Sequence, residues 1–264
     1  MSERTVTSLT NPTVKAVRAL HLRKERDATR QFVAEGLKIV TEALATGHSP
    51  TILMYGQEAQ GHPLLRQAMI ATTSGGGEVI EVTPEILAKV SRRDNPQAVV
   101  GVFRQAFTAL EALDRLSSPC FVALHRVRDP GNLGTIVRTA DAAGCGAVIL
   151  VGECCDPYSV EAVRATMGSI FAVPIVRASE AVFTDWRRGW TGSVVGTLLT
   201  ASTAHHQAAY ARPVLIFMGN EQQGLTPEMA ALCDVNVKIP MRGRADSLNL
   251  AVATGVMIYA ATAA

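Results

Sequence analysis

Three short stretches of this 264-residue chain concentrate side chains that bind, orient or carry charge. The first, His125-Arg126-Val127-Arg128-Asp129-Pro130-Gly131-Asn132-Leu133-Gly134, leads into a segment carrying Arg138. The second is Gly219-Asn220-Glu221-Gln222-Gln223-Gly224. The third is Arg242-Gly243-Arg244-Ala245-Asp246-Ser247, with Asn249 just beyond. In the first stretch Pro130-Gly131 makes a turn, and Gly134 lets the backbone approach something closely. Arg138 lies six residues past Asn132, nearly two helical turns, so side chains of loop and helix can converge on one site. Each stretch also has a structural reading. Asp246 or Ser247 caps a terminal helix, Arg138 is a surface residue, Glu221 caps or is solvated, and the glycines turn the chain. What favours a site is that three polar, Gly-containing loops all fall at strand ends in one region.

Several other chemistries lack their residues. No G-x-G-x-x-G follows the strand Phe121 to Leu124, and Gly144-Cys145-Gly146 precedes a strand, the wrong place for a dinucleotide turn. Gly75-Gly76-Gly77 is followed by no G-K-[ST], so it reads as a flexible turn and not a phosphate cradle. No G-x-S-x-G surrounds a serine. The six histidines stand in no metal-binding arrangement with Cys or acids. Cys120, Cys145, Cys154, Cys155 and Cys233 are odd in number and show no C-x-x-C spacing, which reads as reduced, structural thiols and no metal site.

The elements that must position these loops follow from apolar spacing and turn residues. Residues 12–46 read as helical in two pieces, one marked by Val14, Val17 and Leu20 and the other by Leu37, Val40 and Leu44. Ile52 to Tyr55, Val79 to Val82 and Val99 to Arg104 read as strands. Leu64 to Ile70 and the segment opened by Thr83-Pro84-Glu85 read as helices. This alternation describes a small α/β domain over residues 1–105. Residues 106–118 form a linker helix. From 119 to 264 the alternation restarts: strands at Phe121 to Leu124, Ala147 to Val151, Val173 to Val176, Val194 to Leu198, Val214 to Met218 and Val235 to Ile239, with helices between and a long apolar helix last. These strands are continuous apolar runs, as in a parallel sheet covered on both faces. Such sheets bind ligands at the carboxyl ends of their strands, where the three loops lie.

Composition bounds the class of protein. With 48% hydrophobic and 18% charged residues the chain is not disordered. It begins with no signal-peptide core and has no run of about 18 apolar residues, so it reads as soluble and cytoplasmic, with no membrane partner. The net charge of +2 is unevenly spread: residues 1–38 hold eight Lys and Arg against four acids, leaving 17 against 19 elsewhere. A basic N-terminal element suits a polyanionic partner, and equally a solvated helix face.

The three loops, in their order, resemble the three motifs of the SpoU branch of the SPOUT RNA methyltransferases. Asn132-Leu133-Gly134-Thr135-Ile136-Val137-Arg138-Thr139-Ala140 is similar to the first motif and Met218 to Leu225 to the second. Ile239-Pro240-Met241 through Ser247-Leu248-Asn249 is similar to the third. Asn11-Pro12 and Phe32-Val33-Ala34-Glu35-Gly36 resemble the substrate-binding domain that many members carry ahead of the catalytic one. The resemblance implies 2′-O-methylation of a ribose in RNA with S-adenosylmethionine as donor, ribosomal RNA ahead of transfer RNA. It also implies an α/β fold with a C-terminal trefoil knot, and a homodimer. It places Gly219, Ile239 and Leu248, with Thr197, Leu198 and Asn220 as neighbours, at the methyl donor. Arg138, Asn132, Glu221, Ser247 and Asn249 fall at the reacting ribose. An arginine base is chemically awkward because guanidinium stays protonated, so Arg138 reads first as a phosphate clamp and hydroxyl orienter. Arg128, Arg242, Arg244, Lys15 and Arg18 are candidate RNA contacts. A non-catalytic RNA-binding protein on the same fold is the alternative from another class. A nicotinamide-dependent enzyme lacks its glycine fingerprint.

Overall fold

The computed structural model describes residues 4–262. By their contacts these residues form two compact units: one holds the chain up to Gln105 together with Asp156–Ala172, the other Ala106–Cys155 and the chain from Val173 onward.

The first unit runs β1 (Arg4–Val6), α1 (Pro12–Ala19), α2 (Arg23–Thr29), β2 (Gln31–Glu35), α3 (Leu37–Ala45), β3 (Ile52–Tyr55), α4 (Pro63–Ser74), β4 (Glu78–Val82), α5 (Pro84–Ser91) and β5 (Val99–Arg104). Its sheet has the order β1-β4-β3-β5-β2 and is mixed: β1, β4 and β3 are parallel, while β5 runs antiparallel to β3 and β2. Helix starts follow local chemistry. Asn11 caps α1 through its side chain and Thr83 caps α5, each with proline at the next position. Val14, Val17 and Leu20 from α1 and Ile86, Leu87 and Val90 from α5 enter one buried cluster with β4 and β5.

The two helices expected within residues 12–46 are α1 and α3, but α2 and β2 lie between them. Strand β2 escaped the periodicity because Phe32 to Glu35 are buried without alternation. Phe32 packs on Tyr158 and Phe171, with ring centroids 4.6 and 5.7 Å away, and these come from the segment Asp156–Ala172. Strand β1 was also unread.

The second unit runs β6 (Cys120–His125), α6 (Pro130–Ala142) and β7 (Val148–Val151). After α7 (Val160–Thr166), which belongs to the first unit, follow β8 (Ile175–Ala178), α8 (Glu180–Arg187), β9 (Val194–Thr197), β10 (Thr203–Ala204), β11 (Val214–Met218), α9 (Pro227–Ala230), β12 (Val235–Lys238) and α10 (Leu250–Thr262). Its seven strands are ordered β10-β12-β9-β11-β6-β7-β8 and all run parallel. Strands β6, β7 and β11 are buried along their whole length, which is why they read as uninterrupted apolar runs. Because β12, β9, β11 and β6 are neighbours and parallel, the chain leaves all four at the same edge. Residues 106–118 contain no α-helix: Thr108 bridges to Val176 and Leu110–Ala112 makes one 3-10 turn. No helix among the described residues is long and apolar enough to cross a membrane.

Within the first unit, Arg26 Nε and Nη2 both donate to Asp156 Oδ2 at 2.8 and 2.7 Å, with each side chain only 5% exposed. Arg26 Nη1 also donates to the Leu20 carbonyl, and Asp156 Oδ1 accepts from the Tyr158 amide. Removing one partner of such a pair strands a buried charge. Asp156→Ala is therefore expected to cost about 3–5 kcal/mol, and Arg26→Met with Asp156→Leu to recover most of that loss. Urea unfolding of the full chain checks this; a single variant as stable as the native chain would show that the pair does not hold this segment.

Candidate functional site

The loop after β6 becomes helix α6 where Asp129 Oδ1 accepts from the Asn132 amide at 2.6 Å, with Pro130 at the first helical position. Glu221, in the loop after β11, closes onto this helix start. Its carboxylate accepts from the backbone amides of Arg128 and Asp129, at 3.3 and 3.1 Å, and from Asn132 Nδ2 at 3.3 Å. A carboxylate suits the positive end of a helix. Asn132 Oδ1 in turn accepts from Asn249 Nδ2 at 2.8 Å. Asn249 Oδ1 takes the amides of Ala251 and Val252, at 2.9 and 3.3 Å, at the start of α10. Glu221, Asn132 and Asn249, one from each loop, are thus joined in a single chain of hydrogen bonds. Each amide has one possible orientation, since turning either would set donor against donor or acceptor against acceptor. The cap of α10 is Asn249; Asp246 and Ser247 lie three or more residues before the helix starts. The exposed loop continues further toward the C-terminus than its composition indicated.

Beside this chain of bonds lies a cavity of about 370 Å³. Its walls come from Thr197 at the end of β9 and Leu198–Thr200 after it, Met218–Leu225, and Ile239, Met241, Ser247 and Leu248 before α10. All six residues expected at the cofactor line it: Thr197, Leu198, Gly219, Asn220, Ile239 and Leu248. Gly219 admits no side chain, because a Cβ there would stand 2.0 Å from Gly224 C and Leu225 N. The tight loop is closed by paired backbone bonds between Asn220 and Gly224, with Gly224 at φ +68°. Asn220 Oδ1 accepts from the amides of Gln222 and Gln223, while its Nδ2 donates to the Arg126 carbonyl at 2.9 Å. Thr197 Oγ1 is buried without a protein partner, leaving a hydroxyl free for a ligand. Volume, apolar walls from Leu198, Ile239 and Leu248, and a few placed polar groups are those of a small-molecule site.

The remaining candidates are placed differently. Arg138 is exposed on α6 and its guanidinium has no hydrogen bond or ion pair among the described residues. Six residues past Asn132 correspond to roughly 9 Å of rise and a turn of about 120° around the helix, so the two side chains leave different faces. Neither Arg138, Asn132 nor Asn249 lines the cavity, whereas Glu221 and Ser247 do. Ser247 Oγ donates to Asp246 Oδ1. Arg128, Arg242 and Arg244 are exposed around the site. Lys15 and Arg18 are exposed on α1 of the first unit.

One part of the support was not read from sequence. Buried His125 donates through Nε2 to Glu180 Oε1 at 2.8 Å, and Arg126 Nε donates to the same oxygen at 2.7 Å. The His125 bond first, then Arg126, holds the Glu180 carboxyl below the usual range. Arg126 itself is left-handed, φ +53°, and its carbonyl accepts from Asn220 Nδ2. Glu180 opens α8, 55 residues beyond His125, and no local pattern links them. Burial raises the thiols of Cys154, to about 11, and Cys233, to about 12, consistent with structural cysteines.

Residues 119–259 match the SpoU rRNA Methylase family, and residues 11–101 match the MRM3-like substrate binding domain. An uncharacterized tRNA/rRNA methyltransferase of Synechocystis is 32% identical, over 97% of this chain and 92% of the relative. A 23S rRNA (guanosine(2553)-2′-O)-methyltransferase of Bacillus subtilis is 28% identical over 96% and 97% of the two chains. The crystal structure of an AdoMet-bound rRNA methyltransferase from Sinorhizobium meliloti is 49% identical, covers 98% of this chain and 97% of its own, and superposes with a TM-score of 0.91.

The double role of Asn249 separates folding from the site. Asn249→Ala removes the cap of α10 and is expected to cost about 1 kcal/mol. Asn249→Asp keeps an acceptor at the helix start and is expected to stay within about 0.5 kcal/mol of the native chain, while losing the donor to Asn132. Thermal and urea unfolding measure both, and equal losses in the two variants would refute the capping role.

Proposed function

Because this chain belongs to the SpoU rRNA methylase family, we propose that it methylates the 2′-hydroxyl of a ribose in ribosomal RNA, using S-adenosylmethionine. The observation that carries this reading is the bonded chain Glu221–Asn132–Asn249 set beside a cavity of cofactor size. Names of relatives such as the 23S rRNA 2′-O-methyltransferases support ribosomal over transfer RNA as substrate. The AdoMet-bound neighbours support the donor. When bound, S-adenosylmethionine supplies an electrophilic methyl group on a sulfonium.

The cofactor would be held by the loop ends at Thr197, Leu198, Gly219, Asn220, Ile239 and Leu248, mostly through backbone and apolar contact. The chain's own groups then have to bring a ribose hydroxyl in line and keep it there, which is where much of the rate of such a displacement arises. Glu221, Asn132 and Asn249 form a rigid rim. Ser247 is part of the cavity wall, with its hydroxyl donated to Asp246. Arg138 stays charged and is suited to clamp a phosphate and orient the hydroxyl. Arg128, Arg242 and Arg244 contact the RNA backbone. The substrate-binding domain expected over residues 1–105 falls in the first unit and takes hold of the RNA.

The active species is a homodimer on this reading. Helix α10 is apolar on all sides, and Val252 and Tyr259, seven residues apart on one face, are each 54% exposed. That stripe suits a second copy. Arg138 lies outside the cavity of its own chain, on a helix packed against α10; a second copy seated there offers it a cavity to serve. The return of residues 238–249 past the Met218–Leu225 loop to reach α6 supports the trefoil knot.

Arg138→Ala is expected to lower methyl transfer at least about 100-fold while S-adenosylmethionine affinity, measured by calorimetry, stays within about twofold. Wild-type turnover in that variant would refute the assignment, and a native chain that does not bind S-adenosylmethionine would sink the enzyme reading. Sedimentation at micromolar concentration is expected to give a dimer; a monomer would contradict it, and an experimental chain trace that pulls free would contradict the knot.

A further inference from the structure

Helices α1 and α5 of the first unit enclose an open cleft of about 670 Å³, lined by Lys15, Arg18, Lys89, Arg92 and Arg93 with Asp94 as the one acid. Two observations make this more than a solvated surface. The walls are fixed: both helices bury their apolar faces in one cluster, and His21 Nε2 bonds the Val90 carbonyl at 2.6 Å, tying the end of α1 to the end of α5. Four of the five cations also have no paired counter-charge among the described residues. Among the described residues Lys15, Arg18, Lys89 and Arg92 make no ion pair or hydrogen bond through their side chains. Arg93 reaches Glu35 only at 4.0 Å, while Arg164 already holds that carboxylate at 2.6 Å.

Helix dipoles account for part of the cluster, since Arg18 and Lys89 sit in last turns, where a cation is favoured. They do not account for Lys15, which stands in the first turn of α1, where a positive charge is disfavoured. Nor do they account for two helices aiming their cations into one space. Like charges held together on rigid walls repel one another unless an anion lies between them.

We propose that this cleft binds the sugar–phosphate backbone of the RNA substrate, with Lys89 of α5 and Arg92 and Arg93 of the turn that follows it opposite Lys15 and Arg18 of α1. The inference rests on RNA being the substrate, and it assigns the grip of the first unit to a built site shared by two helices. Binding there neutralises phosphates with lysine and arginine and releases counter-ions, so its signature is salt dependence and not sequence preference.

The test uses the full chain and a 23S ribosomal RNA transcript in filter binding across a salt series. The triple variant Lys15→Gln/Lys89→Gln/Arg92→Gln is expected to bind at least about tenfold more weakly at low salt. Its slope of log affinity against log salt is expected to flatten by about 2, at roughly 0.7 to 0.9 per lost phosphate contact. Lys15→Arg/Lys89→Arg/Arg92→Lys, which keeps the charges, is expected to bind as the native chain does, and S-adenosylmethionine affinity in calorimetry to be unchanged in both variants. A triple Gln variant with native affinity and slope overturns the proposal, as does an equal loss in the charge-keeping variant. Native RNA binding through the cleft without any methyl transfer would instead sink the proposed function and leave this site standing.

Discussion

Everything at the candidate site depends on parallel strands ending at one edge. Strands β12, β9, β11 and β6 are adjacent and run the same way, so loops that begin at residues 126, 198, 219 and 239 emerge side by side. Adjacency alone would leave four polar loops fraying in solvent. The Glu221 carboxylate, taking two backbone amides and one side-chain amide at the start of α6, ties the second loop to the first, and Asn249 ties the third to both. None of these bonds is buried, so each contributes modestly to stability. Their larger effect is to fix geometry around the cavity, and that is what a positioning site requires.

The cavity is shaped by exclusion as much as by attraction. Gly219 has the backbone of Gly224 and Leu225 where a side chain would be, so the wall there is bare main chain. Asn220 spends its side chain on the loop's own amides and on Arg126, leaving little freedom in the turn. Behind it, Glu180 Oε1 accepts from the Nε of Arg126, whose backbone, at φ +53°, has a conformation that non-glycine residues seldom adopt.

How much of this was legible in the sequence varies with how local the cause is. Strands β3 and β5 were readable to the residue, because their limits are set by their own apolar runs and turn residues. Strand β2 was not, because its burial comes from aromatic residues more than a hundred positions away. The cap of α10 was misplaced because Asp246, Ser247 and Asn249 are all good caps in isolation. Only packing decides which of them begins the helix. The residues lining the cavity were named from the motifs, while Glu180 had no motif to announce it. Arg138 shows the converse limit: spacing suggested that it meets Asn132, and the helical phase turns the two apart.

The arginines of the chain divide into two populations. Arg26, Arg164, Arg126 and Arg187 each hold a carboxylate within their own unit and are structural by that test. Among the described residues Arg128, Arg138, Arg242, Arg244, Arg18 and Arg92 make no ion pair. An unpaired arginine on a surface is ordinary, since an exposed ion pair is worth little. What distinguishes these arginines is their position. The unpaired cations lie on the loops and helix flanking the cavity in the second unit, and around one cleft in the first. With a net charge of only +2, this is placement and not excess. A chain that merely needed solubility could scatter its cations; gathered at two places, they make two patches of positive potential.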